Sequence, residues 1–259
     1  MYLCANYSVG VEKYFHISYE FDAAMVQERI AQQVAGQVPG YICVADANIL
    51  QQVYNDLGYR KVVDEALFSI CDSSWVPVFL KWIYGIQRGQ YCGSTIFMDL
   101  IQKKRYRQFF MGTSTRILDT LKSNLVKVDP AIENMEFYEL PYCDVDDFDY
   151  PAIAEMVNRD NPDIIWVALG APKQEMFMSK LNPYLKRGVQ IAVGAAFKFY
   201  SGVEEKRAPD WMRKNRLEFL YRIYVDPKKQ FERCRKIAYT LPRILREERR
   251  KKRGLAVIE

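Results

Sequence analysis

Histidine is almost missing from this chain: His16 is the only one in 259 residues. That argues against a Ser-His-Asp hydrolase and against a metal centre built from several histidines. The six cysteines contain no C-x-x-C pair, and several sit inside apolar runs as buried free thiols do, which fits a reducing compartment and no structural zinc. No apolar run approaches the length needed to cross a bilayer, and no signal peptide opens the chain, so a cytoplasmic protein is expected. Internal repeats and low-complexity stretches are also lacking.

Charge is unevenly distributed. The net charge is +5, but residues 206–253 hold 18 Lys/Arg against 6 Asp/Glu, leaving a mildly acidic remainder. Such asymmetry points to a polyanionic partner. Composition changes near Gly202–Lys206, which divides the chain into a body, 1–205, and a basic appendage, 206–259.

Six apolar runs in the body read as strands: 41–45, 67–71, 108–112, 135–139, 163–169 and 189–193. Between them apolar residues recur at helical spacing, as in Phe21, Met25, Val26, Ile30 and Val34. Strands alternating with helices predict an α/β fold, a mostly parallel sheet flanked by helices.

Residues 163–178, DIIWVALGAPKQEMFM, carry the sharpest local signal. A continuous apolar run is a strand buried on both faces, Gly170 allows a sharp exit, and Pro172 suits a helix start. Ligands bind at that edge of open α/β sheets, so Lys173, Gln174 and Glu175 are expected at the mouth of a crevice. An ordinary strand-to-helix joint would read the same way.

The appendage reads as two amphipathic helices. The second carries Phe231, Cys234, Ile237, Leu241 and Ile244 on one stripe, with Pro242 as a kink and cations on its other faces. An apolar stripe entering the acyl boundary while cations meet headgroups would anchor residues 228–253 on an anionic membrane. The alternatives are a stripe packed on the body with solvated cations, or nucleic-acid binding; the width of the stripe has no use on a polynucleotide, so no nucleic-acid partner is expected.

Residues 163–175 and 191–222 (IAVGAAFKFYSG, then KRAPDWMRKNRLEFLYR) closely resemble the signature blocks of the bacterial WecG/TagA/CpsF glycosyltransferases. The resemblance implies a Rossmann-like, GT-E type fold. It also implies inverting transfer of a sugar, often of N-acetylmannosamine type, from a UDP-sugar to an undecaprenyl-diphosphate-linked acceptor. No metal or other cofactor is obligatory, and the appendage brings the enzyme to the inner face of the membrane. Teichoic-acid linkage units, enterobacterial common antigen and capsular or exopolysaccharides are the pathways implied, and a homo-oligomer is compatible with them.

Inverting transfer needs a carboxylate to take the acceptor's proton and donors to hold the leaving diphosphate. The resemblance puts Asp72, after the second apolar strand, in the place of the base; a turn-capping aspartate is the plain alternative. It makes Gln174 and Glu175 contacts to the sugar nucleotide and sets Gly194 and Phe197 along the same crevice, Phe197 being equally compatible with the core. Gly112 offers a diphosphate contact at a helix N-terminus, and Arg207 and Arg222 are candidates for the diphosphates. Asp46-Ala47-Asn48 stands where the family has Thr-x-Asn, Ser73 where it has Gly, Gln90 where Arg is common and Lys198 where Asp is common. These departures bear on substrate choice, and they also motivate a second expectation: a UDP-sugar-binding scaffold without turnover.

Overall fold

The computed structural model describes residues 10–203, 208–209, 211–212, 215 and 217–255, with the backbone alone at 229 and 255. The six expected strands are present as β3 (Gly40–Ala45), β4 (Phe68–Cys71), β5 (Gln108–Gly112), β6 (Phe137–Tyr138), β7 (Ile164–Ala168) and β8 (Val189–Ala192). Two more precede them, β1 (Glu12–Tyr14) and β2 (Ile17–Glu20). This hairpin escapes the sequence pattern because its strands are only three and four residues long. The sheet runs β1-β2-β4-β3-β8-β7-β5-β6, and every pairing is parallel except β1 with β2.

Both faces of the sheet are covered, which explains why the central strands read as unbroken apolar runs. Successive residues of β3 serve opposite sides: Tyr41, Cys43 and Ala45 join one core cluster, Ile42 and Val44 the other. The first cluster takes in α2 (Ala47–Asn55), α3 (Leu57–Asp64), α4 (Val76–Tyr84), α7 (Tyr150–Asp160) and α8 (Lys173–Leu181). The second takes in α1 (Ala23–Gly36), α5 (Gly93–Gln102), α6 (Thr115–Leu125) and α9 (Ala196–Ser201). The architecture is therefore the Rossmann-like α/β class with a helical C-terminal segment.

These layers create a crevice. The chain leaves β3 and β7 toward the first cluster, but leaves β5 and β8 toward the second. Where neighbouring strands send their helices to opposite faces, the carboxyl edge of the sheet opens to ligand.

The appendage forms α10 (Glu218–Val225) and α11 (Pro227–Leu255), the latter helical across Pro242. The apolar stripe expected of the second helix is partly taken up by the body. Ile244 is buried in the first core cluster and Leu245 packs on it, while Cys234, Ile237 and Leu241 are half-buried. The body thus covers the stripe around Ile244, while Phe231 at its start stays 67 % exposed. Polar contacts fix the same docking: Glu248 accepts from the Phe15 N–H at 3.0 Å and from the Tyr84 hydroxyl at 2.7 Å, and Glu247 meets His16 at 2.6 Å.

Candidate active site

Asp46 and Asp72 come from neighbouring parallel strands. Ala45 of β3 and Cys71 of β4 are register partners, so the residue after each stands side by side at the carboxyl edge, and the Asp72 N–H donates to the Ala45 carbonyl at 3.1 Å. Asp46 caps α2, its carboxylate accepting from the N–H of Asn48 at 2.8 Å and of Ile49 at 3.0 Å. Asn48 thus lies in the first turn of that helix, beside the crevice.

Asp72 caps a helix too, but not the one that follows it. Its carboxylate accepts the N–H of Gly93, the first residue of α5, at 2.9 Å, and the Gln90 amide donates to its carbonyl at 2.7 Å. The Asp72 carboxyl is pushed up to about 7, first by burial and next by the like charge of Asp46. The Gly93 N–H and the Arg222 guanidinium pull the other way, and Glu218 adds to the upward push. A carboxylate poised near neutrality is suited to general-base work.

The appendage supplies the cations of this cluster. Arg222 of α10 is fixed by Glu218 one turn earlier, at 2.6 Å, and its charge is felt by both Asp72 and Asp46. Arg233 of α11 forms an ion pair with Asp46. Glu218, Arg233 and Gly93 were not singled out in the sequence. Partners of Asp72 and Asp46 that come from 21 to 187 residues away leave no local signal.

On the other side of the crevice, Gln174 and Glu175 do not stand free at the mouth. They are 5 % and 0 % exposed. Gln174 accepts the Gly170 N–H at 3.0 Å and donates to Glu175 at 2.8 Å, while the Tyr59 hydroxyl donates to Glu175 at 3.0 Å. Burial raises the Glu175 carboxyl to about 7 against these hydrogen bonds. The pair holds the Gly170 turn in place beneath Gly194, whose α-carbon faces the Gln174 amide. Lys173 is turned away, donating to the Cys143 carbonyl and lying 5.0 Å from the Phe148 ring centroid.

At Phe197 and Gly112 packing favours the plainer of the two readings. Phe197 is fully buried among Phe97 and Phe110, with ring centroids 5.7 and 6.1 Å away, and belongs to the core. Gly112 is required by the sheet itself: its φ is +110°, and a Cβ there would meet the Ala168 carbonyl oxygen at 2.6 Å. The N-terminus of α6 just beyond it is already occupied, since Glu139 accepts the Thr115 N–H at 2.7 Å. Arg207 lies outside the described residues.

The site is thus the carboxyl edge of an open α/β sheet, where a near-neutral carboxylate is faced by arginines from a C-terminal appendage. The chain matches the model of the Glycosyl transferase WecG/TagA/CpsF family over residues 15–254 and belongs to that family; it is a glycosyltransferase. It is 27 % identical over 219 residues to the N-acetylglucosaminyldiphosphoundecaprenol N-acetyl-beta-D-mannosaminyltransferase of Bacillus subtilis (strain 168), covering 83 % of each chain. A relative of the same name from Bacillus spizizenii is 27 % identical over 212 residues, 81 % of this chain and 80 % of its own. One from Staphylococcus aureus (strain NCTC 8325 / PS 47) is 22 % identical over 223 residues, 83 % of each chain.

Proposed function

We propose that this enzyme transfers a sugar from a UDP-sugar to an acceptor carried on a polyprenyl diphosphate, with Asp72 as the general base. One observation carries the reading: within this family fold, Asp72 is a partly buried carboxylate at the crevice edge with its pKa near 7. In the reaction the Asp72 carboxylate takes the proton of the acceptor hydroxyl. The freed oxygen bonds to the anomeric carbon while the bond from that carbon to UDP breaks, and UDP departs with the electron pair. Arg222, with Arg207 from the same sequence block, meets the charge growing on the diphosphate. Gly170, Gln174 and Glu175, hydrogen-bonded in a chain, and Gly194 beside Gln174 shape the donor side. Asn48 and the Asp46–Arg233 pair border the side next to Asp72.

The acceptor chemistry follows the names of the relatives. A lipid-linked acceptor calls for a protein at the membrane surface, and the cationic side of residues 228–253 supplies the attraction to anionic headgroups. No helix among the described residues is long and apolar enough to cross a membrane. In this reading residues 1–205 are the catalytic body and residues 206–259 the appendage that completes and docks it.

The test is a donor screen on a synthetic lipid-diphosphate N-acetylglucosamine with a mass readout. Transfer from a UDP-sugar, lost in Asp72→Asn, is the expected result. Binding of UDP with no transfer from any donor would refute it.

A further inference from the structure

α4 is a surface helix with little polar surface. Val76, Leu80 and Ile83 are buried against the body. A neighbouring flank carries Trp75, Phe79 and Trp82, whose four- and three-residue spacing lines them up, with Phe79 half-buried against the first core cluster. The rings of Trp75 and Phe79 stack at 6.3 Å, and Trp75 and Trp82 are 44 % and 56 % exposed. Lys81 is the one charged residue between 75 and 84. A helix facing water ordinarily turns several charges outward, so an exposed flank with two tryptophans calls for a partner other than water.

Beside α4 runs a groove of about 520 Å³, with Ala238, Leu241, Pro242 and Leu245 of α11 facing Trp82. Arg246 and Arg249 line the same groove, and the Arg249 guanidinium lies over the Trp82 ring, 3.4 Å from its centroid. Lys252 and Arg253 continue the cationic border alongside Trp82 and Ile83. An indole exposed beside cations is the combination that suits the boundary between acyl chains and anionic headgroups. A soluble protein partner would not require so many cations of one sign at the rim of an apolar groove.

We infer that α4 and the groove side of α11 form one surface that seats on an anionic bilayer, with Trp82 entering the acyl region and the Arg246–Arg253 segment meeting phosphates. The inference rests on the membrane reading above and adds a helix of the body, α4, to the part of the tail's stripe that lines the groove. Its consequence is orientation. Trp75 lies three residues beyond Asp72, so seating α4 brings the β4 side of the crevice to the surface that carries a lipid-linked acceptor.

Quenching of tryptophan fluorescence by brominated acyl chains tests this in the full-length chain. The chain has four tryptophans, and Trp75→Phe with Trp211→Phe leaves exposed Trp82 and fully buried Trp166, which serves as an unquenched reference. On vesicles containing phosphatidylglycerol at about one-third of the lipid, Trp82 emission should be quenched while Trp166 emission persists. Trp82→Ala in the otherwise native chain should weaken co-sedimentation about tenfold, with its thermal melt unchanged. Co-sedimentation with Trp82 unquenched, or undiminished in Trp82→Ala, would overturn this surface while leaving the membrane reading standing. Failure of the native chain to bind any anionic vesicle would overturn the membrane reading itself.

Discussion

The pH dependence of transfer tests the assignment of Asp72 most directly. With its carboxyl at about 7, only about one-tenth of the enzyme carries the ionised base at pH 6 and about nine-tenths at pH 8. The value of kcat/KM should therefore climb about tenfold across that interval and level off above it. A carboxylate left at its ordinary 3.8 would give a flat profile. The neighbours set the direction in which variants move the limb. Asp46 and Asp72 follow paired residues of adjacent strands, which lie about 4.8 Å apart, a spacing that allows two such carboxylates a separation on the order of 6 Å. At that separation a like charge contributes about 0.7 kcal/mol in water and about 2.8 at an effective dielectric of 20. Asp46→Asn keeps the helix cap and removes the charge, so it should move the limb down by about half a unit to two units. Arg222→Gln removes an attractive charge and should move it up. Arg233→Ala leaves Asp46 unpaired, and should move it up as well. Initial rates at subsaturating acceptor between pH 5.5 and 8.5 measure all four profiles. A flat native profile, or a shift of Asp46→Asn toward alkaline pH, would refute the reasoning.

Stability carries the same signature with a defined sign. A carboxyl whose folded pKa exceeds its unfolded value holds its proton more tightly in the folded state, so the native chain loses stability as pH rises from about 4 to about 7. Asp72→Asn should be more stable than the native chain at pH 8, by about 1–4 kcal/mol, and no more stable near pH 3.5, as urea melts at the two pH values would show. Glu175→Ala strands the Tyr59 hydroxyl and the Gln174 amide in a buried site and should cost about 2–4 kcal/mol, whereas Glu175→Gln should cost less and leave the pH limb in place. Gly112→Ala forces a Cβ onto the backbone of β7 at a left-handed φ, and should lower stability by more than about 2 kcal/mol in a denaturant titration.

Much of the fold could be read from the amino-acid order, because strands buried on both faces leave continuous apolar runs and their helices leave a three-to-four residue rhythm. The run from Ile164 to Ala168 and the turn at Gly170 are legible that way, whereas Asp72 at the end of β4 is singled out by the family resemblance. The short hairpin β1–β2 was not legible, since three or four residues carry too little pattern. The roles inside the crevice were less legible. Gln174 and Glu175 look like free polar groups in sequence, yet their partners Gly170 and Tyr59 turn them into a buried brace. Phe197 and Gly112 look like lining residues, yet the core and the neighbouring strand account for both.

The appendage divides the two kinds of information most clearly. Sequence alone determined that it is basic, helical and amphipathic, because charge and periodicity are properties of the order of residues. Only the tertiary structure decided which surface its stripe serves. Docking buries Ile244 against the body, carries Arg233 to Asp46 and Arg222 toward Asp72, and leaves α4 with the exposed tryptophans. Periodicity says that a helix has an apolar side. What covers that side, and which charges then face one another, depends on contacts between residues far apart in the chain.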